Sequence, residues 1–586
     1  EDRGNHWFSG VGRLKPGVSI ERARADLDAV SRDLEQQYPA TNKGVRALPA
    51  SMIDYYAGSS RTPLLLLMGA VGFVMLIACT NVVLLLLARI IGRSREIAVR
   101  LALGVDRWRL LRMLLAESLI VAVTGGLAGV LLSMWAVHWA LASQPRLLPR
   151  ANTIHLDASS LVFAFAITAA TLLVLGLIPA FSSNTDVMEA MQSAGRGGTD
   201  RRRLRMGWTL IAAEIAMASM LLMGAGLMIE TLRNLTHVQL GYQPEHVVAV
   251  EFSLSPFKYT SDAQVEAASQ RMLESIQSLP GVTEASFAAP FSVGGNGMLP
   301  PVSLPGRSNL PTLPLIAATS VSPGFFETLH IPLRTGRYFI AGHSKKKEVV
   351  VNEEFARRFF PGENPVGQRI DQNGVQEIVG VVGDTRLQGP VSRETPEVYW
   401  LGGEGGWAYG TMLIRVAGSP DSVATQVRDR LKHAESEIRL TSVAPLELQE
   451  EGRTALPRFT RSLLLIFAAL AVILAAMGMY GVASYGVAQR RREIGVRVAL
   501  GASFRDVAWL VTRQTFSATL AGTAVGAAGG ALLARVLASQ FYGVGARDPG
   551  IYLTVLILII VVAAAAAIAP VMTAARIDPA ISLRQE

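Results

Sequence analysis

Seven long apolar segments constrain this chain more than any other feature of its sequence. They lie at residues 64–88, 112–142, 158–182, 206–230, 462–489, 511–535 and 549–575. A helix of roughly 20 apolar residues crosses a bilayer core about 30 Å thick, and each segment is long enough. Half of the residues are hydrophobic and only 17% are charged, which argues against a soluble protein of 586 residues. The sequence predicts a multi-pass α-helical membrane protein with seven spans in this chain.

The placement of arginine predicts which side of the membrane each loop occupies. Segments 89–112, 183–205, 490–513 and 576–586 hold 20 arginines, whereas the short loops 143–157 and 535–548 hold four. Because cytoplasmic loops carry the excess of Lys and Arg, the first set is predicted to be cytoplasmic. Residues 1–60 and 231–461 are then external, which means periplasmic for a bacterial inner-membrane protein. Contact with lipid headgroups accounts for the net charge of +9, and no nucleic-acid partner is predicted.

An internal repeat organises the chain. Residues 95–104 read REIAVRLALG and residues 492–501 read REIGVRVALG, an offset of 397. The same offset relates Gly125 and Gly129 to Gly522 and Gly526, and a strand–helix–strand pattern at 8–48 to one at 411–444. Such self-similarity predicts a tandem repeat of four-span units that pair as a pseudo-dimer. Residue 1 lies near the equivalent of residue 403, so a complete first unit is expected to contain roughly 200 further residues, including one more span.

These patterns predict the following organisation. The ranges are the end of a first periplasmic domain (1–60), the first-repeat spans (61–182) with a cytoplasmic segment (89–111), a cytoplasmic linker (183–205), the first span of the second repeat (206–230), a second periplasmic domain (231–461), the remaining spans (462–575) with a cytoplasmic segment (490–510), and a cytoplasmic tail (576–586). Within 231–461, strands are predicted at 246–254, 348–351 and 377–382 and helices at 264–278 and 421–434, which is an α+β pattern.

The sequence contains no pattern that predicts an enzyme. The phosphate-binding pattern G-x-x-x-x-G-K-S/T does not occur in the 586 residues, so ATP hydrolysis is not assigned to this chain. The eight histidines are scattered and the single cysteine, Cys79, lies in an apolar segment. No cofactor, metal or catalytic residue is therefore predicted.

Several sequence segments resemble those of the MacB/FtsX-type family of ABC transporter permeases. Residues 324–339, 348–370 and 377–386 resemble the MacB-like periplasmic core domain, and residues 13–27 and the two repeated segments resemble the same family. The nearest resemblance is to its duplicated branch, the duplicated orphan permeases of Acidobacteria. In that family a cytoplasmic ATPase moves the helices, and the helices lever periplasmic domains that push or release a substrate already outside. The resemblance thus implies mechanotransmission, an ATPase that binds ATP on a separate subunit, and a periplasmic adaptor and outer-membrane channel as further partners.

The repeated cytoplasmic segments are the candidate contact with that ATPase. On a helix Arg93, Glu96 and Arg100 share one face and Gly104 ends the helix. The second copy repeats this arrangement with Arg490, Glu493, Arg497 and Gly501. The family implies a coupling helix that docks on an ATPase, and the alternative is a basic amphipathic helix on anionic lipid.

Small and polar residues inside the spans have structural explanations. Gly125 and Gly129, and likewise Gly522 and Gly526, have the four-residue spacing of close helix packing. Glu214 and Asn81 lie within apolar segments, where a packed side chain or an interhelical hydrogen bond competes with a proton-relay role.

Three functions are therefore weighed. The first is an export or release permease driven by a separate ATPase. The second is a signalling protein of the FtsX type, which controls a periplasmic partner. The third is an orphan protein that works without an ATPase.

Overall fold

The computed structural model describes most of the chain. The described residues are 10–42, 44–92, 107–143, 157–181, 199–289, 291, 297–299, 304, 316–340, 347–371, 375–387, 395–402, 405–489, 494, 496–497, 499–500, 502–537, 541–543, 545 and 548–575. The predicted linker 183–205 is described only from residue 199, and the predicted tail 576–586 lies outside the described residues.

Long helices form the membrane part. They are α3 (Met52–Gly92), α4 (Arg107–Ser143), α5 (Ala158–Phe181), α6 (Thr199–Thr236), α12 (Ala455–Gln489), α13 (Phe504–Val536) and α14 (Pro549–Ala575). Within the described residues, six of them are long and apolar enough to cross a membrane; α5 contributes a shorter apolar stretch, Ala158–Ala169. Helices α3, α4, α6, α12 and α13 begin before the predicted spans, because backbone hydrogen bonds continue a helix into polar sequence whereas hydropathy marks only its lipid-embedded part.

Helix α6 is the centre of the bundle. It packs against α3, α12, α13 and α14, whereas α4 packs mainly against α5. More than half of its apolar stretch is buried by the neighbouring helices. Ile211 and Ile215 are completely buried where α6 meets α12, α13 and α14.

Glycines bring α6 and α13 together. A Cβ atom at Gly522 would lie 2.5 Å from the carbonyl oxygen of Ala212, and one at Gly526 would lie 2.5 Å from the Cβ of Ser219. Only residues without a side chain allow this approach of two backbones. At Gly125 and Gly129, by contrast, no described atom lies within 4 Å of such a Cβ, and the packing predicted for these two glycines remains a prediction.

The residues between α6 and α12, 237–454, form what we call the external domain. One sheet runs through it in the order β11-β1-β10-β2-β4-β9-β6-β8-β5, with β3 beside β4 and β7 beside β8. Strands β4 and β9, and β6 and β8, pair in parallel, and the other pairs are antiparallel. The strands are β1 (Val247–Leu254), β2 (Val282–Ala289), β3 (Gly297–Leu299), β4 (Ile316–Val321), β5 (Leu333–Gly336), β6 (Glu348–Asn352), β7 (Arg369–Asp371), β8 (Val375–Val382), β9 (Glu397–Leu401), β10 (Tyr409–Val416) and β11 (Ile438–Pro445).

Helices cover this sheet and complete its cores. They are α7 (Asp262–Gln277), α8 (Phe325–Thr328), α9 (Glu353–Phe359), α10 (Pro420–Ala434) and α11 (Leu446–Arg453). Helices α7 and α10 bury Met272, Ile276 and Val427 against the β1–β10–β2 part of the sheet. The α+β domain predicted from the sequence is present, and its first and last strands, β1 and β11, lie side by side. Both ends of the domain therefore face the membrane helices.

The strand–helix–strand pattern expected at residues 8–48 is only partly present. Helix α1 (Ile20–Gln37) forms and is followed by the short helix α2 (Pro39–Asn42). Described residues 10–19 and 44–50 contain no strand, and Val11 and Leu48 are exposed by 78% and 82%. Two isolated strands without a sheet to cover them gain too little burial to form, so the expectation of strands here is wrong for this chain.

The close approach of α6 and α13 leads to a first prediction. Gly526→Ala should lower the thermal unfolding midpoint of the full-length protein in detergent, because overpacking costs about 1–3 kcal/mol. Gly481→Ala is the matched control, since no described atom lies within 4 Å of its added Cβ and alanine favours a helix. Equal midpoints for the two variants would contradict the packing.

Candidate functional site at the membrane–domain junction

Three chain segments meet where the external domain rests on the membrane helices. Arg386 donates through Nη1 to the Tyr542 hydroxyl at 2.9 Å, which joins the domain to the segment between α13 and α14. Asn234, near the end of α6, donates through Nδ2 to the carbonyl oxygens of Tyr542 and Gly543 at 3.3 and 3.2 Å. The Arg386 backbone N–H donates to the Leu240 carbonyl at 2.8 Å. We call these contacts the membrane–domain junction.

A glycine makes the closest approach in this junction. Gly241 has φ +77°, and a Cβ there would collide with the carbonyl oxygen of Asp384. Glycine adopts positive φ without steric cost and has no side chain to hold the two backbones apart. The connection from α6 into β1 therefore lies in direct backbone contact with residues 384–386.

A buried carboxyl group supports residues 384–386 from inside the domain. Glu397 on β9 is 2% exposed, and its Oε2 accepts hydrogen bonds from Thr385 Oγ1 at 2.6 Å and from the Tyr399 hydroxyl. Burial raises the pKa of Glu397 to about 7, and the nearby Asp384 carboxylate raises it as well. Burial and the neighbouring Glu397 also raise the pKa of Tyr399. The Glu397 carboxyl group therefore titrates near neutral pH.

Asp384 is held from the opposite side by α9. It accepts from the Glu354 backbone N–H at 2.6 Å and from Arg357 at 2.7 Å. Hydrogen bonding to Asp384, together with Glu354, raises the pKa of Arg357. Asn352, which caps α9, also accepts from the Glu397 backbone N–H at 2.9 Å. The segment at the junction is therefore tied to both β9 and α9.

A second polar contact lies inside the membrane helices. Asn81 on α3 donates through Nδ2 to the Leu474 carbonyl of α12 at 2.8 Å. A Cβ at Gly478 would lie 2.5 Å from Glu214 Oε2 and 2.7 Å from Asn81 Oδ1. Glu214 is completely buried, and neither carboxyl oxygen has a hydrogen-bond partner among the described residues. Three helices therefore meet at one polar point, where Gly478 leaves room for the carboxyl group.

Most of the predicted coupling residues lie outside the described residues. These are Arg93, Glu96, Arg100, Gly104, Arg490, Glu493 and Gly501. Arg497 is described, and it is helical and exposed. Helix α13 begins shortly after it with a capping box, in which Ser503 and Asp506 hydrogen-bond reciprocally. The role of these residues stays a prediction.

Sequence reasoning did not find the membrane–domain junction. Asn234, Arg386 and Tyr542 are separated by more than 150 residues from one another and belong to no motif. The signal that was available is Gly241, since a glycine between a span and the first strand indicates a special backbone conformation. Among the described residues, no group of His, Cys, Asp and Glu is arranged to hold a metal ion.

The fold and the junction define a multi-pass membrane protein with a periplasmic α+β domain. Comparison with known families agrees: the FtsX-like permease C-terminal family matches residues 68–185 and 465–579, and the MacB-like periplasmic core domain matches residues 209–439. The chain belongs to the MacB/FtsX-type family of ABC transporter permeases. The two matches to the first family begin 397 residues apart, which is the offset of the internal repeat.

Individual relatives are similar over part of their length. The macrolide export ATP-binding/permease protein MacB of Agrobacterium fabrum is 26% identical over 297 residues, 46% of this chain and 43% of that protein. The pyoverdine export ATP-binding/permease protein PvdT of Pseudomonas syringae is 31% identical over 165 residues, 28% of this chain and 23% of that protein. The matched part thus spans less than half the length of these relatives. The periplasmic region of MacB from Actinobacillus actinomycetemcomitans aligns with 38% of this chain and 96% of its own, at 12% identity and a TM-score of 0.26.

The close approach at Gly241 generates a second prediction. Gly241→Ala should speed amide hydrogen exchange at residues 237–245 and 383–387 of the full-length protein, because the new Cβ forces the two segments apart. Gly281→Ala is the control: Gly281 also has positive φ, +87°, but no described atom lies within 4 Å of its added Cβ. Both variants carry the cost of positive φ, about 1–2 kcal/mol, so only a larger effect of Gly241→Ala at the junction supports the contact.

The Glu397 carboxyl group leads to a third prediction, which concerns the pH dependence of local stability at residues 383–387. Its pKa is raised from 4.5 to about 7. Between these two pH values, the folded protein retains a proton that the unfolded chain has lost. The stabilisation from that proton is complete below about pH 4.5 and is lost as the pH rises through about 7. Hydrogen exchange at residues 383–387 should therefore become less protected, relative to its intrinsic rate, from pH 5 to 8.

Glu397→Gln should remove most of this pH dependence, because the amide does not titrate. Glu447→Gln, at an exposed site of the same domain, controls for the loss of one carboxyl group. An unchanged pH profile in Glu397→Gln would assign the effect to other groups.

Proposed function

We propose that this chain is the permease subunit of an inner-membrane ABC transporter, in which a separate cytoplasmic ATPase moves the spans and the spans move the periplasmic domain. The substrate is exported or released on the periplasmic side, and a periplasmic adaptor and an outer-membrane channel are the further partners. The observation that carries the proposal is the membrane–domain junction. Through Asn234, Gly241 and Arg386, the domain contacts both the end of α6 and the connection between α13 and α14.

The rigidity of these contacts supports transmission of movement. Helices α6 and α13 touch at backbone level through Gly522 and Gly526, so a shift of one helix is not absorbed by flexible side chains. Both helices then lead to the junction, one through Gly241 and the other through Tyr542. A rotation or tilt of this pair would reach residues 384–386, and through Thr385 and Glu397 it would reach the centre of the sheet.

The ATPase is proposed to be a separate subunit. The names of the relatives describe ATP-binding/permease proteins, whereas this sequence contains no G-x-x-x-x-G-K-S/T pattern. The two copies of the REI-VR-ALG segment are proposed as the two docking points. Two docking points on one chain suit the paired nucleotide-binding subunits of an ABC transporter.

Helices α3 and α12 support a pseudo-dimer within one chain. Asn81 and Gly478 differ in number by 397, the repeat offset, and both lie at the polar contact. Leu67 and Leu464, related by the same offset, share one buried cluster. Equivalent residues meet one another only near a twofold axis, as in an isologous interface. We infer that this axis passes between α3 and α12.

The test of this function is copurification of an ATPase with the full-length chain, which is the fourth prediction. The double substitution Glu96→Arg and Glu493→Arg should abolish ATPase copurification, because it replaces the one acidic residue on the charged face of each docking helix by a basic one. Glu189→Arg is the control, since it makes the same charge change in the predicted cytoplasmic linker.

The outcomes separate the candidate functions. Copurification of an ATPase with an adaptor or outer-membrane channel supports export, whereas an ATPase with a murein hydrolase supports the FtsX-type signalling function. Unchanged ATPase copurification in the double variant would remove the docking role. Absence of an ATPase from the wild-type preparation, with ATP or a non-hydrolysable analogue present, would contradict an ATP-driven function.

A further inference from the structure

A cavity lies between α13 and α14 at the end that faces away from the external domain. Its volume is about 310 Å³, and it is lined by apolar and hydroxyl side chains. The lining includes Phe504, Thr512, Thr515, Phe516, Ala567 and Ile568. Phe516 and Ile568 are exposed by 51% and 58%, so the cavity opens towards the surrounding lipid. The junction and the Glu214 contact involve none of these residues.

The cavity lies at the level of the lipid headgroups. Helix α13 has 33 residues and is about 50 Å long at 1.5 Å per residue, whereas the hydrocarbon core is about 30 Å thick. Its first turns carry Arg505, Asp506 and Arg513, and Trp509 is 64% exposed beside them. Tryptophan and arginine at one level of a membrane helix mark the interface. Thr512 and Thr515 therefore lie where the hydrocarbon begins.

One polar group in the cavity has no partner. Thr515 is 2% exposed, and its hydroxyl has no hydrogen-bond partner among the described residues. Its neighbours on the helix behave differently: Thr512 and Thr519 both donate at 2.8 Å to the carbonyl oxygen four residues earlier. A buried hydroxyl without a partner is unfavourable. A ligand that offers an acceptor at this point would remove the cost.

The charges near the cavity are positive. Arg505 and Arg513 lie on α13 within about two turns of Thr512, and Asp506 is engaged by Ser503 at the start of the helix. An apolar ligand with one hydrogen-bond acceptor and a negative group would match the apolar cavity wall, the Thr515 hydroxyl and the arginines, whose positions on α13 all lie within residues 504–516.

We propose that this cavity is a binding site for one phospholipid of the cytoplasmic leaflet. An acyl chain fills the space between Phe516 and Ala567, an ester carbonyl oxygen accepts from the Thr515 hydroxyl, and the phosphate lies near Arg513. An anionic headgroup is preferred because of the two arginines. The lipid wedges α13 against α14, the two helices whose connection contains Tyr542 of the junction. The site rests on the membrane placement of these helices and not on the proposed ATPase.

The fifth prediction is measured by native mass spectrometry of the full-length protein in mild detergent. The probes are palmitoyl-oleoyl phosphatidylglycerol and phosphatidylcholine with the same chains. Thr515→Val should weaken binding of both lipids about two- to tenfold, because one hydrogen bond is lost. Arg513→Gln should weaken phosphatidylglycerol only. Ala564→Phe, which fills the cavity from its lipid-facing side, should abolish the retained lipid.

The Thr515→Val and Ala564→Phe variants each have a matched control. Thr523→Val removes another buried hydroxyl of α13 that lacks a partner among the described residues but does not line the cavity. Ala565→Phe adds the same ring at an exposed neighbouring position outside the lining. The proposal is overturned if Ala564→Phe and Ala565→Phe retain lipid equally, or if Thr515→Val binds both lipids as the wild type does. A variant that fails to fold is recognised by its lowered thermal midpoint. If Thr515→Val does not fold, the comparison of Ala564→Phe with Ala565→Phe tests the proposal, because both substitutions change exposed residues.

Discussion

The contact between α6 and α13 is the constraint on which the rest of the arrangement depends. Two helices that touch through Gly522 and Gly526 lie closer than side chains normally permit. Since α6 continues into β1 and α13 leads to Tyr542, their separation at the glycines fixes where both segments emerge from the membrane. The external domain then rests on two points whose spacing is set inside the bilayer. At the domain surface, these two points are the contact of Arg386 with Tyr542 and the contact of Gly241 with Asp384.

Polar groups are buried at each level of this arrangement, and each is accommodated in a different way. At the junction, burial raises the pKa of Glu397 to about 7, and the hydrogen bonds that it accepts from Thr385 and Tyr399 partly compensate its charge. Inside the bundle, Asn81 donates to a backbone carbonyl, and Gly478 provides the space that Glu214 occupies. Near the headgroups, Thr515 lacks a protein partner among the described residues, which is the reason to expect lipid there. Such groups are unfavourable in an apolar core, so their retention points to positions where helices or segments must meet in one way.

Much of the fold could be predicted because it is periodic or long. Strands β1, β6 and β8 and helices α7 and α10 begin and end within two residues of the predicted bounds, since alternating and helical patterns report burial directly. The spacing of Gly522 and Gly526 predicted close packing but not the partner, which is α6. The strands expected at residues 10–19 and 44–50 did not form, because a local pattern does not supply the neighbouring sheet that a strand requires. Glu214 was recognised as unusual, but its position opposite Asn81 and Gly478 required three helices in their packed places.

The sequence by itself determined the membrane class and the α+β character of the external domain, and it predicted the side of the membrane for each loop and the repeat. These follow from hydropathy, arginine placement and local periodicity, which act over a few residues or along one helix. Only the tertiary structure decided which helix is central, which segments meet at the membrane–domain junction, and where a cavity opens between α13 and α14. Those features join residues up to about 300 positions apart, such as Asn234 and Tyr542. Packing and hydrogen bonding act over a few ångströms in space, and no pattern along the chain records which distant residues come within that range.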